Sequence, residues 1–129
     1  MSESNLREQR AHERYYVKEG AFVVIKKRQD SKLTVGQIID ISSGGLALKY
    51  MSNGELTNDN NKLDIYFTGK GLQLKDISFK LICDFGLESS FPFSSVFMRR
   101  GCVQFKYLEN EHKSQLSNFI KKYTNIEKN

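Results

Sequence analysis

From residue 22 to residue 107 the chain is a succession of short β-branched and aromatic runs cut by turn residues, and only beyond residue 110 does its apolar spacing become helical. Phe22-Val-Val-Ile25 lies between Gly20 and the turn Gln29-Asp-Ser31. Leu33 to Ile39 and Leu46 to Met51 follow, the second ending at the turn dipeptide Asn53-Gly54. Leu63 to Phe67 comes after a polar loop, and Gly69-Lys-Gly71 interrupts the chain before Leu72-Gln-Leu74. Ile77, Phe79, Leu81 and Cys83 then share one face at period two. A connection around Pro92, the single proline, precedes Val96 to Met98 and Cys102 to Tyr107. Such a pattern excludes a helical bundle and predicts a small antiparallel barrel or sandwich.

The closing segment has a different period. Leu116, Phe119, Ile120 and Tyr123 fall at i, i+3, i+4 and i+7, one apolar stripe on a helix from about residue 111 to 123 with Asn110 as its N-cap. The stripe predicts a lid docked on the chain's own sheet. At 129 residues there is room for one core. The organisation expected is a flexible polar arm over 1–14, a body over 15–124 and a tail over 125–129. A polar N-terminus and the lack of a long apolar run predict a cytoplasmic protein without a membrane span. Cys83 and Cys102 lack CxxC spacing and are expected as buried free thiols.

A net charge of +5 favours anionic partners, although the basic residues are scattered. Two strings concentrate that tendency. Arg10-Ala-His-Glu-Arg14 places two guanidinium groups where the arm meets the body. Guanidinium is permanently charged, forks onto phosphate oxygens and matches the O6 and N7 acceptors of guanine. Asp40-Ile-Ser-Ser-Gly-Gly45 lies between two strand-like runs. Alternation predicts Asp40 pointing outward with Ile39 and Ile41 inward. A carboxylate only accepts, which suits the N1–H and N2–H donors of guanine, and Ser42 adds a hydroxyl for backbone or ligand. Gly44 and Gly45 are expected to allow positive φ and a close approach to a flat ligand. A solvated tail and an Asx-type turn explain either string taken alone. Together they describe a receptor for an anion with a hydrogen-bonding base edge, properties that a guanine nucleotide such as GTP or a guanine in RNA has.

With Arg10 and Arg14 followed by Asp40, Ser42 and Gly45, the chain resembles the PilZ family of bacterial cyclic di-GMP receptor domains, whose signature is R-x-x-x-R and then D/N-x-S-x-x-G. The likeness extends through Gly45-Leu-Ala-Leu48 and Arg100-Gly-Cys-Val-Gln-Phe105 to the C-terminal helix. It implies an all-β fold, a six-stranded antiparallel Greek-key barrel with a C-terminal α-helix. It also implies that cyclic di-GMP is held by Arg10, Arg14, Asp40, Ser42 and Gly45, with secondary contacts from Arg7, Gln9 and Gly44. Arg99 and Arg100 are read as surface charge.

The function so implied is a non-catalytic second-messenger receptor. Ligand-induced ordering of the arm would signal to a downstream protein partner, with the chain a monomer or homodimer and no cofactor, metal, membrane or nucleic acid involved. The alternative is a ligand-independent adaptor of the same fold. A basic barrel that binds single strands is a third reading. An enzyme is the least supported, since neither histidine has a base or metal partner in the sequence.

Overall fold

A computed structural model describes residues 13–26, 33–52, 62–86 and 97–124. The strands are β1 (Tyr15–Tyr16), β2 (Ala21–Lys26), β3 (Leu33–Ile41), β4 (Gly45–Ser52), β5 (Lys62–Phe67), β6 (Gly71–Gly86) and β7 (Phe97–Phe105), followed by helix α1 (Asn110–Tyr123). Every pairing is antiparallel. Neighbours run β3-β2-β5-β6-β7-β4, and β4 pairs back onto β3 to close a six-stranded barrel. Because β5 lies beside β2 while β2, β3 and β4 are sequential neighbours, the order β5-β2-β3-β4 is a Greek key. The short β1 is extra to the ring. It pairs with the end of β3, Tyr15 opposite Ile41 and Tyr16 opposite Asp40, beyond the part of β3 that β2 covers.

Alternation fills the interior. Val23 and Ile25 of β2, Leu46, Leu48 and Tyr50 of β4, and Val103 of β7 are buried, as period two requires. Two pairs of segments that read as separate strands are each continuous. Gly71–Gly86 is one strand that passes an irregularity at Asp76, whose φ is 59°. Phe97–Phe105 is likewise unbroken through Arg99-Arg100-Gly101, because Gly101 pairs with both Leu48 and Asp84. Ladder hydrogen bonds on both edges thus override the low strand propensity of a charged stretch.

Strands β4, β6 and β7 share a part-buried polar network. The Tyr50 hydroxyl donates to Asp84 Oδ1 at 2.7 Å and Arg99 Nε donates to the same oxygen at 3.2 Å. Arg99 is therefore a structural partner of Asp84 and not simply surface charge.

Helix α1 buries Leu116, Phe119, Ile120 and Tyr123, the predicted stripe, and Tyr123 stacks on Phe67 with centroids 4.0 Å apart. Each such side chain contributes about 1.5–3 kcal/mol relative to an exposed one. The N-cap is Glu109 and not Asn110, which is the first helical residue, and no side chain caps the helix. Among the described residues no helix is long and apolar enough to cross a membrane.

Candidate functional site

The second string forms the β3–β4 turn, and its hydrogen bonds face inward. Ser42 N–H donates to the Gly45 carbonyl at 2.8 Å. The Ser42 hydroxyl oxygen accepts from Gly44 N–H at 3.1 Å and from Gly45 N–H at 3.2 Å. With only 2% exposure, Ser42 is the internal brace of the turn. Its hydroxyl serves the backbone, which is one of the two roles expected of it.

Gly45 departs from expectation. Among the described residues, the glycines with positive φ are Gly20, Gly69 and Gly71, and neither Gly44 nor Gly45 is one of them. What requires glycine at 45 is space, since a Cβ there would lie 2.1 Å from the Val103 carbonyl oxygen. The close approach that the fold itself requires is to strand β7. The tight contact lets β4 begin flush against β7, with Gly45 opposite Gln104 and Phe105 N–H donating to the Gly44 carbonyl at 2.9 Å.

Asp40 does point out of the barrel, for a reason alternation alone does not supply. Ile38 is buried, so a regular strand would turn residue 40 inward as well. Between Ile38 and Asp40 the register slips: Ile38 pairs with Leu48 while Asp40 pairs with Ala47. The unpaired Ile39 is a β-bulge that resets the phase, so Ile41 returns to the core and Asp40 stays outside. Ile39, expected inward, is only partly buried and stands outside the core cluster.

The two strings meet at this carboxylate. Strand β1 brings Arg14 to the same edge, and Arg14 Nη1 donates to Asp40 Oδ1 at 2.6 Å. Side-chain exposures of 29% for Arg14 and 14% for Asp40 make the pair half-buried, so it is screened less than a surface pair. Val17 N–H to the Ile39 carbonyl (3.2 Å) and Lys18 N–H to the Tyr123 carbonyl (2.8 Å) fix the backbone that follows. Arg7, Gln9 and Arg10 lie outside the described residues.

The fold adds two neighbours the sequence did not single out. Arg100, on β7, reaches across β4 to within 3.8 Å of Asp40 Oδ2. Tyr16, directly opposite Asp40 in the ladder, is 77% exposed. Neither is legible by spacing, since both depend on register. Beside the turn lies an open cleft of about 270 Å³, lined by Glu13, Tyr15, Ser43 and, from the helix, Ser117, Ile120 and Lys121. Asp40 therefore carries an acceptor edge flanked by guanidinium groups on both sides, an arrangement suited to a ligand with N–H donors and negative charge. No cluster of metal-ligating side chains occurs among the described residues.

Cys83 and Cys102 are free and face each other across β6 and β7, but both are half-buried and not fully enclosed. Burial, and then the hydrogen bond to Cys102, raise the Cys83 thiol pKa above its ordinary value.

In a search of curated proteins nothing matches the chain. Among solved structures, the PilZ domain of YcgR from Escherichia coli with c-di-GMP aligns over 87% of this chain and 88% of its own, with TM-score 0.66 and 15% identity. The K. pneumonia MrkH–c-di-GMP complex aligns with TM-score 0.61 and 14% identity over 86% of this chain, which spans half of MrkH. The PilZ domain of CeSA from a cellulose-synthesizing bacterium gives TM-score 0.52 at 14% identity, over 84% of this chain and 94% of that one. At these identities the likeness is one of fold. The sequence itself is matched by the PilZ domain family model over residues 8–122, from before the first arginine of the signature to the last turn of the helix, and the chain belongs to that family.

Proposed function

We propose that this chain is a non-catalytic receptor for cyclic di-GMP, and that the ligand is recognised where Arg14 meets Asp40. The observation that carries the reading is the 2.6 Å pair itself. Residues 26 positions apart, one from each half of the signature, converge on one outward-facing carboxylate. Two relatives of the same fold, YcgR and MrkH, have structures solved with c-di-GMP, which supports the choice of ligand.

The chemistry follows from the donor and acceptor sets. A guanine presents N1–H and N2–H to Asp40, which accepts both. Accepting them displaces Arg14 from Oδ1, and the freed guanidinium turns to the phosphate or to O6 and N7 of guanine. Arg10 supplies the second fork, with Arg7, Gln9 and the Gly44 backbone as secondary contacts. Ser42 and Gly45 act indirectly, holding the turn that aims Asp40. The two neutral N–H donors of guanine replace the hydrogen bond lost from Arg14 while Arg100 stays 3.8 Å from Oδ2, so the half-buried carboxylate is never left without partners.

Signal output is the ordering of the segment that carries Arg7, Gln9 and Arg10 against the barrel. Its ordering cost is offset by charge-assisted contacts, and the fixed segment becomes a surface for a downstream protein.

Isothermal titration with cyclic di-GMP tests the reading. Saturable binding by the wild type, severely weakened in Arg14→Ala and Asp40→Ala, is the expected result. No saturable binding, or equal binding by the variants, removes the receptor and leaves a ligand-independent interaction module. Hydrogen exchange tests the output: residues 7–14 should gain protection with ligand.

A further inference from the structure

We infer that Tyr16 is the stacking platform for the guanine whose edge is held by Asp40. The inference rests on the receptor reading and adds to it a residue outside both signature strings.

Register carries the argument. Tyr15 faces the barrel and packs against the core, opposite the buried Ile41. Tyr16 therefore faces outward, opposite Asp40. Residues directly opposite in an antiparallel pair have Cβ atoms about 4.5–5.5 Å apart on one face of the sheet. The row across the outer surface reads Tyr16, Asp40, Ala47, Cys102. It contains one aromatic ring, and that ring is the immediate neighbour of the carboxylate. A purine whose donor edge meets Asp40 extends from it in a plane over the adjacent side chains of the row. On one side lies Ala47, which at 1% exposure offers no surface to a ligand, and on the other the exposed ring of Tyr16.

Exposure supports the same assignment. The ring is 77% exposed although its backbone is paired, so the side chain is presented and not used by the fold. Tyr107 is more exposed still, at 87%, but it lies between β7 and the helix, off this row. Exposure alone does not single out Tyr16; exposure beside Asp40 does. The backbone beneath it is anchored by Val17 to Ile39 and by Lys18 to Tyr123, so the ring is offered from a fixed position at little ordering cost. Every base has a π-face, and an aromatic plane adds affinity that hydrogen bonds to the edge cannot supply.

The full chain contains no tryptophan, which gives a clean test. Three variants are titrated with cyclic di-GMP: Tyr16→Ala, Tyr16→Phe and Tyr16→Trp. Loss of stacking should weaken binding by Tyr16→Ala about tenfold or more, whereas Tyr16→Phe, which keeps the ring, should stay within about threefold of wild type. The single indole of Tyr16→Trp should change its emission on saturation. A loss below about fivefold in Tyr16→Ala, or a Tyr16→Trp protein that binds with unaltered emission, overturns the platform. Should Tyr16→Ala not fold by circular dichroism, the Tyr16→Trp emission decides alone. If wild type itself fails to bind, the receptor reading falls; if wild type binds and the Tyr16 criteria fail, only this inference falls.

Discussion

Gly45 packs against Val103 so closely that a single added methyl would sit 2.1 Å from the Val103 carbonyl oxygen. The obstacle is backbone in a central ladder, which cannot rotate away as a side chain does. Gly45→Ala should therefore destabilise the barrel by at least about 1–3 kcal/mol, read as a lowered midpoint in urea. Any loss of ligand affinity should track the loss of the β3–β4 turn. A Gly45→Ala protein of wild-type stability would show that the β4–β7 contact is looser than described.

Arg14→Ala should separate binding from folding. Half-burial of the pair with Asp40 raises the cost of losing Arg14, but Arg100 remains 3.8 Å from the other carboxylate oxygen and offsets it, so stability should fall by about 1 kcal/mol. Affinity for cyclic di-GMP should fall far more. Thermal melting and titration on the same sample check both halves.

Ser42→Ala should behave in the opposite way. It removes the acceptor for the Gly44 and Gly45 amides inside a buried turn, a change expected to cost about 1–3 kcal/mol. Binding should weaken only as far as Asp40 loses its aim. Comparing unfolding midpoints of Ser42→Ala and Arg14→Ala distinguishes a turn brace from a ligand contact.

Acid sensitivity should trace to the cluster of Lys26, Asp64 and Asp76. Lys26 Nζ bonds Asp64 Oδ1 at 2.9 Å and also bonds Asp76, whose N–H donates to Asp64 Oδ1 at 2.8 Å. The hydrogen bond from Lys26 lowers the Asp76 pKa, against a smaller opposing effect of burial. A depressed folded pKa stabilises above the unfolded value near 3.9, and that contribution disappears as pH falls through the folded value. Asp76→Asn, which tolerates the positive φ, should thus melt below wild type at neutral pH and converge with it in acid. The side chain is 49% exposed, so the difference should be small.

Cys83 should resist alkylation at neutral pH. Burial and the neighbouring Cys102 hold its thiol above the ordinary range, so its thiolate fraction grows only in more alkaline solution. Mass spectrometry after iodoacetamide treatment across pH should show Cys83 reacting at higher pH in the folded chain than in the denaturant-unfolded one.

Much of this architecture was legible in the sequence. Period two from Ile77 to Leu81, the stripe from Leu116 to Tyr123 and the turn residues around Gly69 and Gly71 each report a local geometric requirement that the fold satisfies. Cys83, expected on the same face as Leu81, leaves it, because the register shifts after Leu81 and pairs Cys83 with Cys102 of the outer row. The signature strings also single out Arg14 and Asp40, two side chains that the fold brings into contact. Local pattern determines which face of a strand is apolar and which segments must be helix or strand.

Partner and phase were decided only in three dimensions. Asp40 faces outward because Ile39 is bulged from the β3–β4 ladder, and a bulge depends on how a strand's neighbours pair with it. Gly45 is required by the Val103 carbonyl, a group 58 residues further along the chain, as the difference of the two residue numbers shows. Arg100 and Tyr16 join Asp40 through register on strands β7 and β1. Spacing in sequence carries no information about which strands become neighbours, so the carboxylate could be named from the chain while its surroundings awaited the closed barrel.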